Sequence, residues 1–332
     1  MERTARHMKL PSSGTISHLL CFLAIVSTGV IVSNPYYLQL LTFIGIYTLL
    51  ALGLNMLMGY AGQISLGHAA FYGLGAYTSA ILSSHWHCSP WLALPAALCL
   101  AALVAFVVGV PTLKLSGYYL GMGTLGFGMI VHVLFREWSS VTGGASGLVG
   151  IAPLTLGGVS LNSGSGYFFL VWFTNLIAFG LCRRLVDSRV GRALRAIHDS
   201  ERAAMAVGVD TARLKLMIFV MSAVMAALAG FLYAHLVSFI SPSSFDFLMS
   251  VRLVTMVAVG GMASIWGSLL GASVLTLLPE WLHVFSDYEM VVYGLILMVI
   301  MIFLPQGLTR GLLDLYERSR PAELAGTKEK TL

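Results

Sequence analysis

GLNMLMGYAGQISLGHAAFYGLGAY, residues 53–77, joins two apolar runs, 36–58 and 64–84, and contains no Asp, Glu, Lys or Arg. A helix needs about 20 mostly apolar residues to cross a bilayer, and each run supplies that length. Within the stretch, Asn55, Gln63, Ser65 and His68 stand among closely spaced glycines. Hydrocarbon offers such groups no hydrogen-bond partner, so they require a protein or water environment. The stretch therefore reads as two membrane helices meeting at a Gly-rich, polar interruption.

Working outward, the same reading extends to the whole chain. Hydrophobic residues make up 58% of the 332 positions and charged residues 10%, far more apolar than a soluble domain. Apolar runs bounded by polar or Gly/Pro breaks fall at 16–33, 36–58, 64–84, 91–110, 117–135, 166–184, 214–237, 251–265, 267–284 and 288–304. The expected fold is an all-α integral membrane protein of about ten transmembrane helices. Some are short or broken, because 64–84, 117–135 and 251–284 are rich in Gly, Ser and Thr. Ten spans use about 200 residues and leave no room for a second soluble domain. The expected organisation is one transmembrane domain over 1–332, with cytoplasmic tails at 1–15 and 306–332 and a cytoplasmic loop at 187–213. Arg3, Arg6 and Lys9 before 16–33 have the order of a signal peptide. Asn34-Pro35 and another long apolar run follow without a small-residue cleavage site, so 16–33 reads as the first span.

Charge placement tests the topology. Of 19 Lys and Arg residues, three lie in the N-terminal tail, eight in 183–215 and five in the C-terminal tail. An even number of spans puts all three groups on one side, the cytoplasmic side by the positive-inside rule. This is a membrane charge pattern and no nucleic-acid footprint. Cys21, Cys88, Cys99 and Cys182 are scattered, without the spacing of a metal site or a disulfide framework.

The Gly-rich stretch 59–67, GYAGQISLG, faintly echoes 260–271, GGMASIWGSLLG. Paired interruptions are the mark of an internal pseudo-repeat around a central pathway, although shared glycine content alone produces the same echo. Asn55, Gln63, Ser65 and His68 are candidates for lining such a pathway, since exposed backbone and uncharged polar groups hold a zwitterionic or amide-like solute without fixed charge. The competing reading is helix packing with hydrogen bonds across the bundle. His68, His132 and His235 lack a carboxylate at helical spacing and read as structural. Asp246, Glu280, Asp287 and Glu289 all fall at span edges or in loops, which weakens proton or sodium coupling. Energy then enters elsewhere.

In 187–213, DSRVGRALRAIHDSERAAMAVGVDTAR, a short helix is expected from a cap at Asp199 or Ser200 to Gly208, exposing Ala203, Ala204 and Val207 for a soluble partner. The alternative is a solvated basic loop held by anionic lipid. Gly144-Ala-Ser146-Gly147 matches the G-x-S-G string of intramembrane serine proteases, with His235 in a later span. Ser146 sits in a Gly/Thr-rich outer loop, however, and no triad geometry follows. No GxxxxGK[ST] P-loop is present. The expectation is no catalytic residue, no metal site and no cofactor held by this chain.

From about residue 36 to Gly307 the chain resembles the LivM-type membrane permeases of bacterial branched-chain amino-acid ABC importers. The resemblance rests on 53–77, on TGGASGL at 142–148, on VGRALRAIHDSERAAMAVGVD at 190–210 and on VAVGGMASIWGSLLGA at 257–272. It implies that Arg192, Asp199, Ser200, Glu201, Ala203, Ala204 and Gly208 belong to the loop that contacts the ATPase subunits. Arg202 stands between the Glu and the Ala pair, one residue more than the simplest Glu-Ala-Ala form. It further implies a second, similar permease, two cytoplasmic ATPases that use ATP and Mg, an extracytoplasmic solute-binding protein, and a bacterial inner membrane with both termini cytoplasmic. Leu, Ile and Val are the expected solutes, with urea or short amides as the alternative within the class. Outside the class, the alternative is an ion-coupled secondary transporter acting alone.

Overall fold

The computed structural model describes residues 34–311 except 116, 157–158, 162–164, 283–288 and 305–306, together with Ser27 and Gly29. The expected span 16–33, the tails 1–15 and 312–332, and Asp287 lie outside the described residues. Among the described residues eleven α-helices of six or more residues carry the fold: α1 Pro35–Asn55, α2 His68–Ser84, α3 Pro90–Thr112, α4 Tyr118–Glu137, α5 Ser165–Asp187, α6 Arg189–Asp199, α7 Glu201–Ala206, α8 Thr211–Val237, α9 Phe247–Gly260, α10 Ile265–Leu282 and α11 Glu289–Phe303. All but the short α6 and α7 correspond to the nine expected spans between 36 and 304. Seven are long and apolar enough to cross a membrane, α9 only together with the 3-10 turn Pro242–Phe245 before it, while α2 and α11, with 17 and 15 residues, are shorter.

Local chemistry sets the boundaries. Asn34 caps α1 by accepting from the Tyr36 N–H at 3.0 Å, and Pro35 occupies the first turn, where its missing N–H is harmless. The helix continues through a π-helical turn, Met56–Tyr60, and then unwinds. The expected span 64–84 accordingly starts as a helix only at His68. The expected spans 251–265 and 267–284 are divided at 261–264, where Gly261 has φ +119°.

Small residues set the packing. On α3 the buried face is Pro90, Ala93, Ala97, Ala101, Ala105 and Gly109, while Leu92, Leu103, Phe106 and Val107 point outward. That spacing of three and four residues is one helix stripe. α8 is the central helix, packed on α1, α2 and α3. A Cβ on Gly75 would overlap the Ala227 backbone, and one on Gly230 would overlap the Tyr72 carbonyl. Backbone-to-backbone approach of this kind lets dispersion hold helices together where lipid removes the hydrophobic drive. Above the crossing, Tyr72, Tyr77, Phe135, Tyr233 and Phe245 form an aromatic core, with Tyr77 and Phe135 stacked at 4.3 Å.

Cross-contacts define the two ends of the bundle. At one end Tyr36 donates to Glu280, and Trp91 Nε1 donates to the Thr155 carbonyl at 2.8 Å. There the 138–164 connection is more ordered than a loop: β1 Leu148–Val149, β2 Thr155–Leu156 and β3 Val159–Ser160 precede β4 Phe239–Ile240, with β1 antiparallel to β4 and β2 to β3. At the other end α6 meets the 61–67 break through His198 and Gly62, and His198 lines a cavity with Met262 and Ala263 of the 261–264 break.

Candidate functional site

The unwound segment 61–67 is placed by three neighbours. Gln63 N–H donates to the Leu57 carbonyl of the π turn at 3.1 Å. Leu66 N–H donates to Thr124 Oγ1 of α4 at 3.0 Å, and Ala69 N–H to Ser250 Oγ of α9 at 3.1 Å. Gly62 takes φ +66°, a turn that a residue with a Cβ adopts only with strain. Beyond it Gln63, Ser65 and Gly67 are buried while Gly62 and Ile64 are exposed, the alternation of an extended backbone.

Three of the four candidate pathway residues share one property. Gln63, Ser65 and His68 are 4%, 1% and 1% exposed, yet Gln63 Oε1 and Nε2, Ser65 Oγ and His68 Nδ1 have no partner within the described chain. His68 Nε2 lies 3.4 Å from Ser222 Oγ, which donates to the Gly53 carbonyl at 2.7 Å. A buried polar group without a partner costs about 1–3 kcal/mol, so packing alone does not account for three of them on neighbouring positions.

Asn55 is different. Its Nδ2 donates to the Ser264 carbonyl at 2.7 Å and to Ser268 Oγ at 3.0 Å, and its Oδ1 accepts from Ala263 N–H at 3.0 Å. Its amide is consumed in tying α1 to the 261–264 break. A Cβ on Gly59 would overlap Ala263, so the two Gly-rich interruptions are in direct contact. Cavities of about 350 and 340 Å³ flank that loop, one against Tyr60 and Trp266, the other against Gly59, His198 and Ile300.

The basic segment folds as two helices. Ser188 Oγ caps α6, which buries Gly191, Leu194 and Ile197 and exposes Arg192 and Asp199. Ser200 Oγ accepts from Ala203 N–H at 3.3 Å to start α7, and Gly208 ends the turn at φ +83°. One expectation is corrected. Ala204 is 2% exposed and faces the bundle, because its carbonyl accepts from Val209 N–H as the chain turns back toward α8. The outward face is Ala203, Met205, Ala206 and Val207, with Val207 79% exposed. Glu201 pairs with Lys215 of α8, whose side chain is nearly buried. His198 of α6 packs on Gly62, its Nδ1 3.0 Å from where a Cβ would stand. α6 and the polar segment are thus neighbours.

Sequence reasoning passed over several of these residues. Lys215 reads as one more loop charge, and Thr124, Ser222 and Ser250 as ordinary span hydroxyls. Arg252, inside an expected span, goes unweighed when only carboxylates are sought. No hydrogen bond joins the protease-like pair: Ser146 is exposed on a 3-10 turn, whereas His235 is buried, with Nδ1 2.7 Å from the Ala152 carbonyl. Among the described residues no His, Cys, Asp and Glu group is placed to hold a metal ion.

Residues 36–301 match the family model described as branched-chain amino acid transport system / permease component. The high-affinity branched-chain amino acid transport system permease protein LivM of Escherichia coli (strain K12) is 36% identical, over 79% of this chain and 67% of the relative. LivH of the same organism is 25% identical, over 79% of this chain and 90% of the relative. A probable LivM of Methanocaldococcus jannaschii is 24% identical over 81% and 92%. No solved structure matches. With seven apolar helices of spanning length and a family match across 36–301, this multi-pass membrane protein belongs to the branched-chain amino acid transport system permease-component family.

Proposed function

We propose that this chain is one permease half of an ATP-driven importer for Leu, Ile and Val, working with a second permease, two cytoplasmic ATPases and a solute-binding protein. The observation that carries the reading is the junction of Gly62 and His198. It joins the segment bearing the unpartnered Gln63, Ser65 and His68 to α6, the helix that leads into the Ser200–Gly208 turn. Force applied to α6 and α7 reaches the polar segment through this contact, and a break in a helix is where a small displacement changes access. Gln63, Ser65 and His68 then offer the solute hydrogen bonds that the chain itself leaves unmade. Asn55 holds the break in shape.

Arg192, Asp199, Ser200, Glu201, Ala203 and Gly208 form the surface and turn for the ATPase in this reading, with Met205 and Val207 at its centre and Ala204 behind it. The chain itself is non-catalytic and holds no cofactor, ATP and Mg being used by the ATPases. It resides in the inner membrane with both termini cytoplasmic. The branched-chain solutes are supported by the names of the relatives. Proteoliposomes containing the full complex and a loaded binding protein test the proposal: leucine uptake that needs internal ATP and is stopped by vanadate supports it. Uptake of urea or short amides in its place overturns the solute, and uptake by the single chain on an ion gradient overturns the class.

A further inference from the structure

Arg252 of α9 is a charge at mid-depth in the bundle. Its Nη2 donates to the Leu275 carbonyl of α10 at 3.1 Å. Leu275 lies about 15 Å along α10 from one end and about 10 Å from the other, at 1.5 Å per residue. That is the interior of a hydrocarbon layer about 30 Å thick. The Arg252 Cζ sits 5.4 Å from the centre of the Tyr47 ring on α1.

Arg252 Nε is buried without a partner among the described residues, and no described carboxylate pairs with the guanidinium. A guanidinium has five N–H donors, and one carbonyl and one aromatic face do not neutralise it. An ionisable group at this depth costs at least about 2.5 kcal/mol unless it is matched, and unmatched ones mark solute pathways.

We propose that Arg252 is the transient binding point for the carboxylate of the passing amino acid. This rests on the amino-acid reading above. Arg presents a planar fork that matches a carboxylate bidentately, while the Tyr47 face keeps the guanidinium aimed without neutralising it. The anion it takes leaves with the solute, as a pathway requires; a fixed internal carboxylate would hold the site shut.

The test measures radiolabelled leucine binding to the permease–ATPase complex in nanodiscs. The competitors are 4-methylpentanoate, which keeps the carboxylate, and 3-methylbutylamine, which keeps only the amine. The acid is expected to compete and the amine not. Arg252→Gln is expected to weaken leucine binding by about 10- to 100-fold, the loss of a charge-assisted pair, and Arg252→Lys to restore part of it. Equal competition by acid and amine, or unchanged leucine binding in Arg252→Gln, overturns the proposal. If Arg252 instead neutralises an acidic residue of the second permease, Arg252→Gln fails to assemble and the unaltered complex shows no preference for the acid, which also overturns it. A complex that carries no amino acid removes the functional reading and this site together; one that carries leucine without preferring the acid removes this site alone.

Discussion

Replacing Glu201 by Gln removes the charge that faces Lys215 where α7 meets α8. The Lys215 side chain is 9% exposed and that of Glu201 36%. Breaking a fully buried pair costs about 3–5 kcal/mol, and an exposed one about 0–1 kcal/mol. With one partner buried and the other a third exposed, screening brings the expectation to about 1–2 kcal/mol. The loss falls locally. α7 has six residues, too few to persist on its own, and it is held by the Ser200 cap and this pair. Hydrogen exchange at the amides of 203–209 is therefore expected to rise about 5- to 30-fold, while the unfolding temperature of the bundle barely moves. ATP hydrolysis should continue while leucine uptake per ATP falls. Adding Lys215→Met removes the stranded ammonium and should return most of the protection, a coupling of about 1 kcal/mol in the double-mutant cycle. Unchanged exchange in Glu201→Gln, or strictly additive single and double variants, would refute the reasoning.

Other expectations separate pathway from scaffold. Gln63→Leu and Ser65→Ala remove polar groups that have no partner in the chain, so thermal stability should hold or rise while uptake falls. Asn55→Leu should do the reverse, lowering stability by at least about 2 kcal/mol because Ala263 N–H and the Ser264 carbonyl lose their partner. Gly75→Val drives a side chain into the Ala227 backbone and should cost about 3 kcal/mol or more, read as loss of assembled complex in detergent. Val207→Asp, at an exposed position, should change stability by less than about 0.5 kcal/mol yet abolish ATP-coupled uptake; normal uptake would remove α7 from the ATPase surface.

What was legible in the sequence is what local chemistry decides. Apolar runs between 36 and 304, the Asn34-Pro35 break before α1, the Ser200 cap and the Gly208 stop each depend on nearby residues, and helices lie in those runs with the cap and stop in place. What was not legible depends on partners far along the chain. Residues 64–67 lie outside α2, with Leu66 N–H bonded to Thr124, while Ala69 N–H in the first turn of the helix is taken by Ser250. Asn55 reads as a pathway residue until Ala263, Ser264 and Ser268 are brought to it. Ala204 turns inward because the chain doubles back into α8, a tertiary fact absent from the helix pattern. The connection between α4 and α5 gains order through a ladder between 148–149 and 239–240 that no local motif announces.

The central claim, that 61–67 lines a pathway moved by the cytoplasmic helices, is most directly tested by thiol labelling at Ser65→Cys in a chain whose four native cysteines are replaced. Labelling by a membrane-impermeant maleimide is compared in the resting complex and in the complex trapped with ATP and vanadate, with Asn55→Cys as the buried control. The account predicts that Ser65→Cys reacts in one state and is protected in the other, while Asn55→Cys stays unreactive in both. Equal labelling of Ser65→Cys in the two states, or none in either, would contradict it.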